Sequence, residues 1–392
     1  MAGHLEKRGK NSWRLIVSHG YDNYGNRIKY TKSIHANSKR EADKELVKFV
    51  YEIENGVILQ SSGMTFAQFS EMWAKNYGLK ELAPKTYERY KGMLDSRILP
   101  YFGHFKLDLI KPAHIMGFYD YLSKDHQIKR CKNNNGQTTL KALSSKTILE
   151  HHRLLRAMLQ NAVYWQILPY NPVARVKPPK HTRPKIHYYD DKDCKRLLEA
   201  LEGEDLKFQT IITLTLFTGM RRGEVLALEW SDINFKEGFV NIDKSSQYLP
   251  DKGIFIKSPK TESSVRSVGI PQVVIDILKK YKTWYNQQKS QCGDLWIDSN
   301  RLFIQWNGKP MHPDTITDWF RKFIERKNLP PITFHGLRHT NATLMISQNI
   351  DVAVVASRLG HAQITTTLNF YVHPVQSHNK EAGNILEEIL VK

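Results

Sequence analysis

Apolar and polar residues alternate, cluster and recur along this chain in three different ways. Ser12-Trp13-Arg14-Leu15-Ile16-Val17 and Arg27 to Ile34 carry the mixed pattern of strands, separated by the turn-rich run Gly20-Tyr21-Asp22-Asn23-Tyr24-Gly25-Asn26. Ser38 followed three residues later by Glu41 has the form of a capping box. The helix it predicts lines up Ala42, Leu46, Phe49, Val50 and Ile53, with Gly56 as its stop. Between about residues 65 and 176 the period becomes helical throughout. Thr65 and Gln68 form a second capping box ahead of Phe66, Phe69, Met72 and Trp73, while Pro84 and Pro112 mark further helix starts. Residues 128–144 are polar and predict a loop with Asn133-Asn134-Asn135-Gly136 at its tip. Ser144 or Ser145 then opens a long helix through Ile148, Leu155, Met158, Leu159, Ala162 and Val163, ended by Asn171-Pro172.

After a proline- and lysine-rich stretch, 174–186, the pattern changes again. Asp190 or Asp191 caps a helix containing Leu197, Leu198 and Leu201, and Ile211 to Phe217 predicts a buried helix. Phe239–Ile242, Ile254–Ile256 and Arg266–Ile270 predict a β-meander, with Lys260 on its last hairpin loop. The tail places Ile385, Leu386, Ile389 and Leu390 at helical spacing, an apolar face in need of a surface to cover it.

Composition sharpens this picture. The 392 residues are 41% hydrophobic, enough for real cores, and no apolar run reaches the roughly 18 residues of a membrane span. The first residues lack the apolar segment of a secretory signal, and Cys131, Cys194 and Cys292 are scattered with no CxxC pair; both point to a reducing cytoplasm and away from disulfides or structural zinc. Lys+Arg 58 against Asp+Glu 39 gives a net charge of +19, the electrostatic footprint of a nucleic-acid binder. Candidate DNA contacts are Arg14, Arg27, Lys29 and Lys32 on the N-terminal strands and Lys85, Thr86, Arg89 and Lys91 at the Pro84 helix. Lys177, Lys180 and Arg183 on the basic stretch complete the set. Each of them has the alternative reading of an ordinary solvated charge.

Four short boxes carry the chemistry. Thr218-Gly219-Met220-Arg221-Arg222-Gly223-Glu224 presents an arginine at a glycine turn, with Glu224 placed to orient its guanidinium if a helix begins there. Lys257 to Ser264 offers Lys260. Thr333-Phe334-His335-Gly336-Leu337-Arg338-His339-Thr340 puts a proton handler and a charge clamp three residues apart. His335 and His339 also have the i, i+4 spacing of a zinc pair, but Gly336 stands where a metalloprotease needs Glu. Finally Leu359-Gly360-His361 looks like a helix end, with His361 at the start of the next helix, and Tyr371 follows ten residues later in Phe370-Tyr371-Val372-His373. Taken singly, each box has a bland explanation.

Their order, Arg, Lys, His-x-x-Arg, Gly-His, Tyr, resembles the tyrosine recombinase or lambda-integrase-like family, most closely the integrases of Gram-positive phages and conjugative transposons. The resemblance implies an α+β, multidomain fold. It implies an arm-type DNA-binding domain of small β-sheet plus helix at 1–58, a helical core-binding domain at 64–176, a basic linker at 177–187, and a mixed, mainly helical catalytic domain with a small antiparallel sheet and a tail helix at 188–392. Arg221, Lys260, His335, Arg338, His361 and Tyr371 fall on the family's catalytic positions, and Glu224 behind them. The implied reaction is a metal- and ATP-independent transesterification through a 3′-phosphotyrosyl link, with no cofactor. The implied partners are double-stranded DNA at core and arm sites, three further copies of the chain in a tetramer, an excisionase or directionality factor, and a host DNA-bending protein. A chromosome-dimer resolvase, a type IB-like topoisomerase, or a regulator that kept the fold without catalysis would be the alternatives.

Overall fold

The structure is a computed structural model, and it describes residues 3–21, 27–54, 63–124, 129–132, 138–141, 143–181, 187–258, 265–365 and 390. The chain divides into two compact units, 1–183 and 184–392.

The first unit begins with an antiparallel sheet of β1 (Gly3–Lys7), β2 (Ser12–Tyr21) and β3 (Arg27–His35), ordered β1-β2-β3. Leu15 and Val17 project to one side and bury against Phe49 and Ile53 of α1 (Lys39–Glu54). The Ser38 hydroxyl accepts from the Glu41 N–H, but the Glu41 carboxylate turns to the N–H of Asn37 rather than that of Ser38. The next helices are α2 (Phe66–Trp73), which continues through a π-helical turn into α3 (Leu79–Glu81), and α4 (Pro84–Met93), which continues likewise into α5 (Leu99–Phe102). With α6 (Pro112–Ser123) and α7 (Ser145–Tyr164) they enclose a core of Phe66, Phe69, Trp73, Phe102, Phe118, Leu155 and Met158. Thr65 and Gln68 form both bonds of their capping box, and the Ser144 hydroxyl caps α7.

Two expectations change here. The polar stretch after α6 contains a paired hairpin, β4 (Lys129–Lys132) and β5 (Thr138–Lys141), and its asparagine tip lies outside the described residues. Helix α7 ends at Tyr164, well before Asn171-Pro172, which instead opens a 3₁₀ turn in which the Asn171 carbonyl oxygen of the side chain accepts from Val173.

The second unit packs α8 (Asp191–Leu201, capped by Asp190), α9 (Leu206–Thr218) and the short α10 (Arg222–Val225) around one large core. Strands follow: β6 (Ile233–Asn234), β7 (Phe239–Ile242), β8 (Ser245–Leu249), β9 (Gly253–Lys257) and β10 (Arg266–Gly269). They are not one meander. β10 pairs with β7, opposing Arg266 to Ile242 and Val268 to Val240, while β8 and β9 form a separate ladder. The β9–β10 connection that carries Lys260 lies outside the described residues. Helices α11 (Gln272–Cys292), α12 (Pro313–Arg326), α13 (Phe334–Ser347) and α14 (Val352–Leu359) complete the unit. No helix among the described residues is long and apolar enough to cross a membrane.

Candidate active site

The site is assembled where α9, α13 and α14 end or begin beside β10. Helix α9 is stopped by Gly219, whose φ of +66° is a left-handed conformation that suits glycine. A Cβ there would also lie 2.5 Å from Leu359. This turn delivers Arg221 to the first position before α10, and Glu224 sits in that helix's first turn. The Glu224 carboxylate accepts from the Arg221 backbone N–H (2.9 Å) and from Arg221 Nη1 (2.7 Å). Its other guanidinium partner is the more enclosed Arg266, whose Nη2 donates at 2.8 Å. Burial would raise the Glu224 carboxyl pKa, but the hydrogen bonds and charges of Arg266 and then Arg221 outweigh it and hold the group below the usual carboxylate range.

Helix α13 begins with Thr333 accepting from Gly336, and its first turns carry His335, Arg338 and His339. Arg338 is buried, at 3% exposure. It donates from Nη1 to the Gly219 carbonyl (2.8 Å) and from Nη2 to the Leu359 carbonyl (2.7 Å), joining the ends of α9 and α14. The His335 and His339 rings meet edge to face, 4.9 Å apart at 89°. No group of three His, Cys, Asp or Glu side chains that could hold a metal occurs among the described residues. The His335 ring reaches solvent, yet the packed surface behind it and the charges of Arg338 and Arg221 depress its basicity.

Helix α14 closes with a Schellman turn. Gly360, at φ +65°, and His361 donate backbone N–H groups to Ser357 and Ala356. His361 therefore lies in the C-terminal turn of α14, three residues ahead of the helical residues that begin at Ile364. Its low basicity, pKa about 4, comes from burial and from Arg338, Arg221, His339 and Arg266. The carbonyls of the turn are each taken by a different arginine. Arg266 Nε reaches Arg358 O (2.7 Å), Arg338 reaches Leu359 O, and Arg221 Nη2 reaches Gly360 O (3.1 Å). Around His361 the side chains thus hold three guanidinium groups against one carboxylate, an excess of fixed positive charge suited to an anion.

Sequence reasoning missed Arg266, naming it only as a strand residue. A signal existed: Arg266 shares its side of the strand with buried Val268, so a charge stands at a position where an apolar residue is expected. The structure brings Arg221, Glu224, His335, Arg338 and His361 together. Lys260, Tyr371 and Arg183 lie outside the described residues.

The DNA-contact candidates separate by face. Arg14, Arg27 and Lys29 occupy the side of the sheet away from α1, whereas Lys32 pairs with Leu15 on the α1 side, 3.9 Å from Glu52 and over the Phe49 ring. Lys85, Thr86 and Arg89 fall on one arc of α4, with Arg89 bonded to Glu150, and Lys91 projects from another side. Lys177 and Lys180 are exposed.

The charge-rich turn is suited to hold an anion such as a phosphodiester. The phage integrase family model matches residues 188–378, and the model of the phage integrase N-terminal SAM-like domain matches 65–123. The chain belongs to the phage integrase family and is a tyrosine-type site-specific recombinase of the integrase kind. It is 26% identical to a XerC-like tyrosine recombinase of Caldanaerobacter subterraneus, over 98% of both chains. It is also 26% identical to the ICEBs1 integrase of Bacillus subtilis, over 98% of this chain and all of that one. Among solved structures, the Tn1549 transposon integrase in complex with a circular intermediate DNA superposes with a TM-score of 0.66 at 21% identity, covering 81% of this chain and 99% of that one. The lambda integrase tetramer bound to a Holliday junction gives 0.56 at 16%, covering 94% of each. These two likenesses concern the fold.

Proposed function

We propose that this recombinase integrates and excises a mobile element by the following division of labour. Tyr371 Oη attacks the scissile phosphorus, and the P–O5′ bond breaks as the P–O bond to tyrosine forms. Lys260 gives a proton to the departing 5′-oxygen. Arg221 and Arg338 hold the non-bridging oxygens as negative charge grows on them. His335, kept neutral by its surroundings, takes the tyrosine proton or holds the phosphate, and His361 donates its N–H to a non-bridging oxygen. Glu224 fixes Arg221 from behind. One phosphodiester is exchanged for another, so no ATP is required. The observation that carries this reading is the cluster of three arginines around the α14 turn with a single carboxylate among them.

For the rest of the chain we propose an arm-binding domain at 1–58, a core-binding domain at 64–176, a DNA-tracking linker at 177–187 and a catalytic domain at 188–392. Arg14, Arg27 and Lys29 share an open sheet face, which favours them over Lys32 for groove contact. Lys85, Thr86, Arg89, Lys177, Lys180 and Arg183 supply phosphate contacts. The enzyme works on double-stranded DNA as a tetramer in the cytoplasm, at the nucleoid, with an excisionase and a host bending protein setting direction. The tail around Ile385–Leu390 docks on a neighbouring subunit. An apolar cavity of about 280 Å³ between Leu198, Leu216, Phe217, Leu344, Met345 and Ile350 supports that reading by offering a surface of the right chemistry.

The test uses duplex DNA bearing the joined element ends, nicked beside the cut site so that religation is impossible. Wild-type protein is expected to become covalently attached, and Tyr371→Phe to bind equally well without attachment. Tight binding by the wild type with no covalent product would refute the catalytic assignment. Deleting residues 1–58 is expected to spare this cleavage and impair integration; undiminished integration would refute the arm assignment.

A further inference from the structure

Arg266 has no part in the chemistry just described, yet it is tightly held beside it. Its side chain is 7% exposed and projects from β10 toward the site. One guanidinium nitrogen donates to Glu224 Oε2 at 2.8 Å, and Nε donates to the Arg358 carbonyl at 2.7 Å. Gly360 packs flat against it: a Cβ at that glycine would come within 2.9 Å of Arg266 Nη1. The residue therefore touches both the carboxylate that orients Arg221 and the turn that presents His361.

The charge arithmetic explains what such a group does. Glu224 has two oxygens and two guanidinium partners, Arg221 on Oε1 and Arg266 on Oε2. If Arg266 were absent, Oε2 would keep the Arg221 backbone N–H at 2.9 Å but would have room for a guanidinium N–H of Arg221 as well, and a carboxylate–guanidinium fork prefers to close bidentately. Arg221 would be drawn inward, away from the Gly360 carbonyl and from an incoming phosphate. At the same time the Arg358 carbonyl would lose its donor at a helix end, where backbone acceptors already lack intrahelical partners.

We infer that Arg266 is a positioning residue for strand cleavage: by occupying Glu224 Oε2 and the α14 turn together, it holds Arg221 and His361 aimed at one phosphate. This rests on the recombinase reading above. Its effect passes through Arg221, so it is separable from a plain contribution to folding.

The experiment measures single-turnover covalent attachment to the nicked duplex and DNA affinity for wild type, Arg266→Met and Arg266→Lys, each also in an Arg221→Lys background. Arg266→Met is expected to slow attachment by about 10- to 100-fold, the range seen when the outer partner of an active-site group is lost. DNA affinity should stay within about twofold, since many phosphate contacts elsewhere set it. Arg266→Lys should recover part of the rate, because an ammonium can satisfy Glu224 but not also the Arg358 carbonyl. In the Arg221→Lys background the Arg266 effect should nearly vanish. An equal fold-loss in both backgrounds, or an unchanged rate, overturns the inference while leaving the recombinase reading intact. If Arg266→Met fails to fold, Arg266→Lys carries the same comparison. No attachment by the wild type would overturn both.

Discussion

Glu224→Gln tests whether the arginine cluster depends on the single carboxylate inside it. The substitution keeps shape and volume, removes the charge, and turns one acceptor oxygen into a donor facing a guanidinium. The two ion pairs differ in weight. In the Arg266–Glu224 pair the side chains are 7% and 8% exposed, so losing one partner strands a buried charge and costs about 3–5 kcal/mol. In the Arg221–Glu224 pair the guanidinium is 40% exposed, and solvent screening reduces that pair to about 0.2–1 kcal/mol. A loss near 4 kcal/mol in the catalytic unit corresponds to a fall in melting temperature of about 8–16 °C for a unit of this size. Calorimetry or circular dichroism at neutral pH measures it. The dependence on pH fixes the cause. The folded carboxyl lies below its ordinary value, so its contribution is full above that ordinary value and fades as pH falls through the depressed folded one. The gap between wild type and variant should therefore be constant from about pH 8 to about pH 5.5 and narrow below. A drop of less than about 2 °C, or a gap that widens on acidification, would refute the burial argument.

Three other outcomes are expected. Gly360→Ala meets both a left-handed backbone and the Arg266 side chain, whereas Gly203→Ala, at φ +83° with nothing within 4 Å of its Cβ, meets only the first. Both should lose about 1–2 kcal/mol from the backbone, but Gly360→Ala should melt lower still and alone slow cleavage; equal melting temperatures with unchanged cleavage would contradict this. His361 and His339, each pulled down to about 4 mainly by burial, should remain neutral through physiological pH; NMR titration of either imidazole with a midpoint above about 6 would show that the cluster is more open than described. Tyr119→Phe deletes the hydroxyl paired at 2.5 Å with buried His152, and should lower the stability of the α6–α7 packing by about 1–3 kcal/mol in urea melts; no change would mean that His152 finds another partner.

What the sequence makes legible is local. Helix starts at Thr65, Ser144 and Asp190 follow from side chains three residues or fewer from the N–H groups they cap. The glycine stops at 219 and 360 follow from a conformation few other residues tolerate. The strands read less well because pairing is not local. β1 has one leucine among five residues and is held by its ladder with β2, and β10 passes over β8 and β9 to reach β7. For the same reason the boxes could be recognised in order without the clamp that joins them. Arg221 meets Gly360 across 139 positions, and Arg338 meets Gly219 across 119.

That clamp also gives a physical reason for the spacing of the boxes. A buried guanidinium needs acceptors, and pairing every one with a carboxylate would cancel the field a phosphate must feel. Carbonyls at a helix C-terminus offer the alternative: they accept hydrogen bonds and present the negative end of the helix dipole, yet carry no net charge. Arg266, Arg338 and Arg221 take consecutive carbonyls of the α14 turn in this way, and only Arg221 and Arg266 share Glu224. The cluster is therefore satisfied in its hydrogen bonds while remaining positive, and the glycine of the Gly-His box is required because the Arg266 guanidinium fills the space where its side chain would be.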